Sequence, residues 1–141
     1  MLLVCLLLGV LPGAAAHGAG AELPLDQQVG QLVVLSFHGA TAPAYVRAAL
    51  RERHAAGVIL FGGNVVSPGQ LRALTRALRE AGGRPLVAVD QEGGSVRRIP
   101  WVGPVGSESE QAATGTARQD AEDAATALRA LGITEIGRAH V

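Results

Sequence analysis

The chain has 141 residues, and its 12 basic and 12 acidic residues leave a formal net charge of zero. All twelve basic residues are Arg, and a neutral chain gives no electrostatic case for binding nucleic acid or an anionic membrane surface. Hydrophobic residues make up 48% and aromatics 3%, a globular rather than a disordered composition, and the length allows one domain at most.

Met1 to Leu11, MLLVCLLLGVL, is an apolar run of signal-peptide length, too short to span a bilayer comfortably. Ala14-Ala15-Ala16 and Ala19-Gly20-Ala21 offer small-residue cleavage sites, although no Lys or Arg precedes the apolar run. Residues 1–21 are therefore expected to be a signal peptide, which implies a secreted or cell-envelope protein with no membrane association beyond it. Cys5 lies inside this run, so the mature chain would hold no cysteine and no disulfide.

After Glu22, Leu25, Val29 and Leu32 fall at helical spacing, with Asp26 where it suits the positive end of a short helix. Leu32 to Phe37 reads as a buried strand. Thr41 is placed to cap a helix running to about Ala56, with Pro43 in its first turn and Val46, Ala49 and Leu50 on one face. Gly57 ends it, and Val58 to Phe61 is a second apolar strand. Gly62-Gly63-Asn64 makes the turn out. Ser67 caps the next helix with Pro68 at its first position; Leu71, Leu74 and Leu78 form its apolar face, Arg72, Arg76 and Arg79 its wet one. Gly82-Gly83 stops it. Pro85 to Val89 is a third strand, and a long loop rich in Gly and Pro follows. Ser107 and Glu110 have capping-box spacing. The helix behind them runs on Ala117, Ala121, Ala124, Leu128 and Leu131 to Gly132, and Ile133-Thr134 begins a fourth strand.

Short apolar strands alternating with helices predict an α/β fold with a parallel sheet covered on both faces. A (β/α)8 barrel and an open doubly wound sheet both fit. Phe37-His38-Gly39 lacks the glycine spacing of a dinucleotide-binding turn, and without Lys there is no phosphate-binding Gly-x-x-x-x-Gly-Lys loop.

The chemistry concentrates in VAVDQEGGSVRR, Val87 to Arg98. Working residues in parallel α/β folds sit at the carboxyl ends of strands, and Asp90 is placed there. Gly93 and Gly94 let the backbone turn sharply, and Arg98 can return to the same rim. A carboxylate accepts two hydroxyl hydrogen bonds and a guanidinium donates in a planar fork, which suits the adjacent hydroxyls of a sugar. The same spacing also fits an Asp90–Arg98 ion pair that merely pins the loop.

GVILFGGNVVSPGQLRALTRAL followed by PLVAVDQEGGSVRRIP resembles the N-terminal part of family 3 glycoside hydrolases, close to their β-N-acetylglucosaminidase branch. LDQQVGQLVVLSFHG is similar to the opening helix and first strand of that family, so the likeness covers about residues 23–134. It implies a partial (β/α)8 TIM barrel, roughly its first three βα units, and retaining hydrolysis of terminal β-linked N-acetylhexosamine. It implies a carbohydrate substrate, with no cofactor and no metal. Asp90 matches the family's aspartate that binds hydroxyls of the sugar in the subsite where cleavage occurs, and Arg98 the arginine that assists it. Glu92 is not catalytic in the family, and two positions along one strand end do not give carboxyls across a sugar, roughly 5 Å apart, as retaining chemistry needs. Ser95 stands where the family often has Arg, and Gly63 departs similarly before Asn64; both bear on sugar preference.

No catalytic residue is expected in this chain. The family's nucleophilic aspartate and its Lys-His and Gly-His-Gly elements come later, and His17, His38, His54 and His140 fit neither element. A β-glucosidase or β-xylosidase of the same family, or a non-catalytic sugar-binding module, are the alternative readings. Glu135 to Val141, EIGRAHV, is what a common short-read sequencing adapter encodes in one frame. The expected division is thus a signal peptide at 1–21, the first part of a barrel domain at 22–134, and adapter read-through at 135–141.

Overall fold

The computed structural model describes residues 22–137. The signal-peptide reading of 1–21, with Cys5 and His17, lies outside the described residues, as does His140. The elements run α1 (Leu25–Gly30), β1 (Val34–Leu35), α2 (Ala44–Arg51), β2 (Gly57–Leu60), a 3-10 turn (Gly62–Asn64), α3 (Pro68–Gly82), β3 (Leu86–Gly93), β4 (Val96–Arg97), α4 (Glu108–Thr114), α5 (Ala117–Ala130) and β5 (Glu135–Gly137). β1, β2, β3 and β5 pair in parallel in that order, while β4 folds back antiparallel on the far end of β3. No helix among the described residues is long and apolar enough to cross a membrane.

Register explains which side chains form the core. Leu35 pairs with Val58 and Val58 with Val87; two residues on, Leu60 pairs with Val89. Period-2 alternation puts these rows on one sheet face, where they pack with Val46 and Leu50 of α2, Leu71, Leu74 and Leu78 of α3, and Leu128 and Leu131. Leu71 and Leu78 are wholly buried, each worth about 2 kcal/mol by transfer from water. The opposite rows carry Val34, 47% exposed, and Leu86, 44% exposed. That face is the one a closed barrel would turn inward.

Helix α3 forms as its sequence dictates. The Ser67 hydroxyl accepts a hydrogen bond from Gln70 N–H at 3.2 Å, Pro68 opens the helix, and Gly83 at φ 74° ends it. Five expectations need correction. The strand expected over Leu32 to Phe37 shrinks to two residues, because β1 has a partner on one side only and Leu32 is still turning, its N–H bonded to Val29 O. Thr41 is not a cap: Pro43 is extended at ψ 158°, so the helix starts only at Ala44, and it stops at Arg51 rather than Ala56. Gly57 opens β2 instead of ending a helix, since a Cβ there would overlap the Leu86 carbonyl on the neighbouring strand. The helix begun at Ser107 divides at Gly115, which takes the left-handed conformation at φ 71°. The expected fourth strand starts two residues late, at Glu135, with Thr134 already hydrogen-bonded to Val87.

Candidate functional site

The third strand does not end before Asp90. It continues through Asp90 and Gln91 to Gly93, because its last residues pair with β4 in a hairpin containing a register shift between Gln91 and Gly93. Gly93 takes φ 102°, and a Cβ there would overlap the Gly106 carbonyl oxygen, so only glycine admits the loop so close.

Two glutamines hold the loop that the hairpin starts. The Gln91 amide donates to the carbonyls of Ile99 (3.2 Å), Val102 (2.8 Å) and Gly103 (3.1 Å), and its oxygen accepts from Ile99 N–H (3.0 Å). The Gln111 amide on α4 donates to Glu92 O at 2.8 Å and Gly106 O at 2.9 Å. The capping box at the start of α4 forms as its spacing predicts: Ser107 N–H donates to Glu110 Oε2 at 2.7 Å and the Glu110 N–H to the Ser107 hydroxyl at 3.4 Å. The Ser107 N–H and hydroxyl, both donating to Glu110 Oε2, hold that carboxyl below its ordinary value.

This scaffold brings Arg98 back over Asp90. Arg98 N–H donates to the Asp90 carbonyl at 3.4 Å, and Arg98 Nη2 stands 3.8 Å from Asp90 Oδ2. That separation is an ion pair but too long for a hydrogen bond. Asp90 is only 5% exposed, and buried Arg98 Nε has no hydrogen-bond partner among the described residues. Buried polar groups are normally paired, so an unpartnered guanidinium nitrogen beside a buried carboxylate makes this pair the candidate contact for a polar ligand.

The other expected residues fall elsewhere. Glu92 lines a cleft beneath α4 and α5, with Glu108, Gln111 and Ala121; Asp90 does not line it. His54 bonds Asp26 of α1 at 3.1 Å, and chiefly that hydrogen bond holds the Asp26 carboxyl below its ordinary value. His38 and Gly63 line a cavity at the carboxyl ends of β1 and β2. No group of three or more His, Cys, Asp or Glu side chains among the described residues could hold a metal ion.

Gln91, Gln111 and Asn64 were not singled out from sequence. Gln91 had a signal: it follows Val87 and Val89 in the alternation of the buried face, so period 2 already put a polar side chain in the core. Asn64 had only its place after two glycines, whereas its amide donates to the carbonyls of Phe37 (2.9 Å) and Gly39 (2.8 Å) and accepts from Phe61 N–H (2.8 Å).

Parallel strands with outer helices, and polar groups gathered at the strand carboxyl ends, define a wall of a (β/α) barrel with its ligand rim. No family model matches the chain. It is similar to a protein of Arthroderma benhamiae named as an uncharacterized secreted glycosyl hydrolase, 35% identical over 83% of this chain and 36% of that protein. It is 43% identical to a beta-hexosaminidase of Tolumonas auensis over 48% of this chain and 20% of the relative. Among solved structures it matches a family 3 beta-N-acetylglucosaminidase from Paenibacillus sp. with TM-score 0.75 and 33% identity, over 82% of this chain and 24% of that one. A beta-N-acetylhexosaminidase from Beutenbergia cavernae gives 0.69 and 32%, over 84% and 38%. Over most of its described length the chain is thus similar in sequence and fold to the N-terminal part of family 3 glycoside hydrolases. It spans between a fifth and a little over a third of these curated relatives, 20% and 36%.

Proposed function

We propose that the complete gene product is a retaining glycoside hydrolase that removes terminal β-linked N-acetylhexosamine, and that this chain supplies its sugar clamp. Asp90 accepts hydrogen bonds from adjacent ring hydroxyls and Arg98 donates to the same ring. The observation that carries this is the nearly buried Asp90 carboxylate at a strand carboxyl end, 3.8 Å from the guanidinium of Arg98, whose buried Nε has no hydrogen-bond partner among the described residues. The hexosaminidase names of relatives support the amino-sugar preference. A covalent glycosyl-enzyme needs a nucleophile across the sugar from a proton donor, and the family resemblance implies that both come later in sequence than this chain. A relative named as secreted supports the leader reading of residues 1–21 and a secreted or envelope location. The division after Thr134 stays within the same proposal, and ordinary codons unlike the adapter at 135–141 would remove it.

The test is Asp90→Ala in the complete gene product, assayed on an aryl N-acetylglucosaminide. Two hydrogen bonds to a charged group, about 1.5–3 kcal/mol each, correspond to a fall in kcat/KM of roughly 10²–10⁴-fold. Unchanged kinetics would remove Asp90 from the site. Faster turnover of a glucoside or xyloside by the unaltered protein would favour the sister activities, and sugar binding without turnover a binding module.

A further inference from the structure

Four of the chain's twelve arginines meet in one depression. Arg72, Arg76 and Arg79 of α3 and Arg129 in the last turn of α5 line a cavity of about 250 Å³ whose wall holds no Asp or Glu. On α3 the three fall at i, i+4 and i+7, so they form one stripe. Like charges so spaced destabilise a helix, and Glu80, 3.8 Å from Arg76, relieves only one of them. The floor is built. The hydroxyl of buried Thr75 donates to Leu131 O at 2.8 Å and ties α3 to the end of α5. Gly132, at φ 84°, has the Arg79 guanidinium lying where a Cβ would stand, so the missing side chain seats Arg79 in the cavity.

A helix C-terminus by itself favours a nearby cation. Arg72 meets that need, its Nε donating to Ala130 O at 3.4 Å, which accounts for one arginine and not for four. The cavity is also apart from the clamp. Gly132 comes just before Thr134, whose hydroxyl accepts from Val87 N–H near the start of β3. Asp90 lies further along that strand, about 10 Å from Val87 at the other end of the sheet. Barrel enzymes do not place their chemistry at the amino ends of the strands.

We propose that this cavity is a binding site for a diphosphate group, separate from the sugar clamp and independent of the hydrolase reading. Guanidinium groups hold phosphate in bidentate forks. Two linked phosphates carry about three negative charges at neutral pH, which matches three arginines beside the Arg76–Glu80 pair. No aromatic residue lines the cavity, so a base or sugar ring finds no stacking surface, and the volume lies below the roughly 300–1,000 Å³ of sites for larger ligands. The diphosphate is either the free ion or a stretch of a polyphosphate chain.

The test is isothermal titration calorimetry of the complete gene product with inorganic pyrophosphate, inorganic phosphate and long-chain polyphosphate. Pyrophosphate should bind at least about tenfold more tightly than phosphate. Arg79→Gln and Arg129→Gln should each weaken it about tenfold. Arg118→Gln, which removes an α5 charge paired with Glu122 instead, should change it by less than about twofold. Tighter binding of polyphosphate per phosphate identifies the chain as the ligand; tighter binding of pyrophosphate identifies the free ion. The three positions are exposed, and an unchanged urea midpoint checks that each variant is folded. No binding of pyrophosphate up to about 10 mM, or an equal loss with Arg118→Gln and Arg79→Gln, overturns the site. Hydrolysis of an aryl N-acetylglucosaminide should be the same in every variant. Its absence from the unaltered protein fails the hydrolase reading alone.

Discussion

Gln91→Leu tests whether one buried amide sets the position of Arg98. The substitution keeps the volume and removes every polar contact of the side chain. Three of its hydrogen bonds are fully buried: those to Ile99 O and Val102 O, and the one from Ile99 N–H. The fourth, to Gly103 O, is partly buried, so water can replace it. At about 1 kcal/mol net for each buried bond, the complete gene product should lose about 3 kcal/mol of unfolding free energy. Urea denaturation reads this as a lower midpoint at an unchanged slope. Because Ile99 follows Arg98 directly, KM for an aryl N-acetylglucosaminide should rise as well. A loss below about 0.5 kcal/mol, the range of ordinary surface changes, would refute the reasoning and show that other contacts hold the loop.

Glu110 titrates below its ordinary value because it accepts hydrogen bonds from the Ser107 N–H and hydroxyl. Its contribution to stability is therefore present above its unfolded value of about 4.5 and is lost as the pH falls through the lowered folded value. Glu110→Gln should remove that part of the acid dependence in pH-resolved chemical denaturation; an unchanged profile would contradict it. Residues 22–137 expressed alone should bind a hydrophobic dye and lack a sharp melt, since Val34 and Leu86 lie exposed on one sheet face and unpaired strand edges invite association. A soluble monomer with a cooperative melt would overturn this.

Helix α3 and strands β2 and β3 were legible because each carries its own signal: Ser67-Pro68 at a start, Gly82-Gly83 at a stop, Val and Leu in short runs. Asp90 and Arg98 were legible as a pair of charges at the end of an apolar run, though spacing alone left a loop-pinning ion pair equally open. What sequence concealed was long-range. Gly57 looked like a helix terminator, and only the strand beside it shows that Leu86 leaves no room for a side chain. The hairpin of β3 with β4 was hidden because Ser95 to Arg98 show no apolar alternation; they pair because Gly93 and Gly94, at φ 102° and 54°, reverse the chain. Asn64 and Gln111 act on carbonyls up to 27 residues away, which no local pattern reveals.

The position of a bound sugar at this rim is the most direct test of the clamp. A crystal structure of the complete gene product with N-acetylglucosamine should show Asp90 and Arg98 within about 3.2 Å of adjacent hydroxyls of the ring. A sugar bound with both groups turned away from it would contradict the clamp.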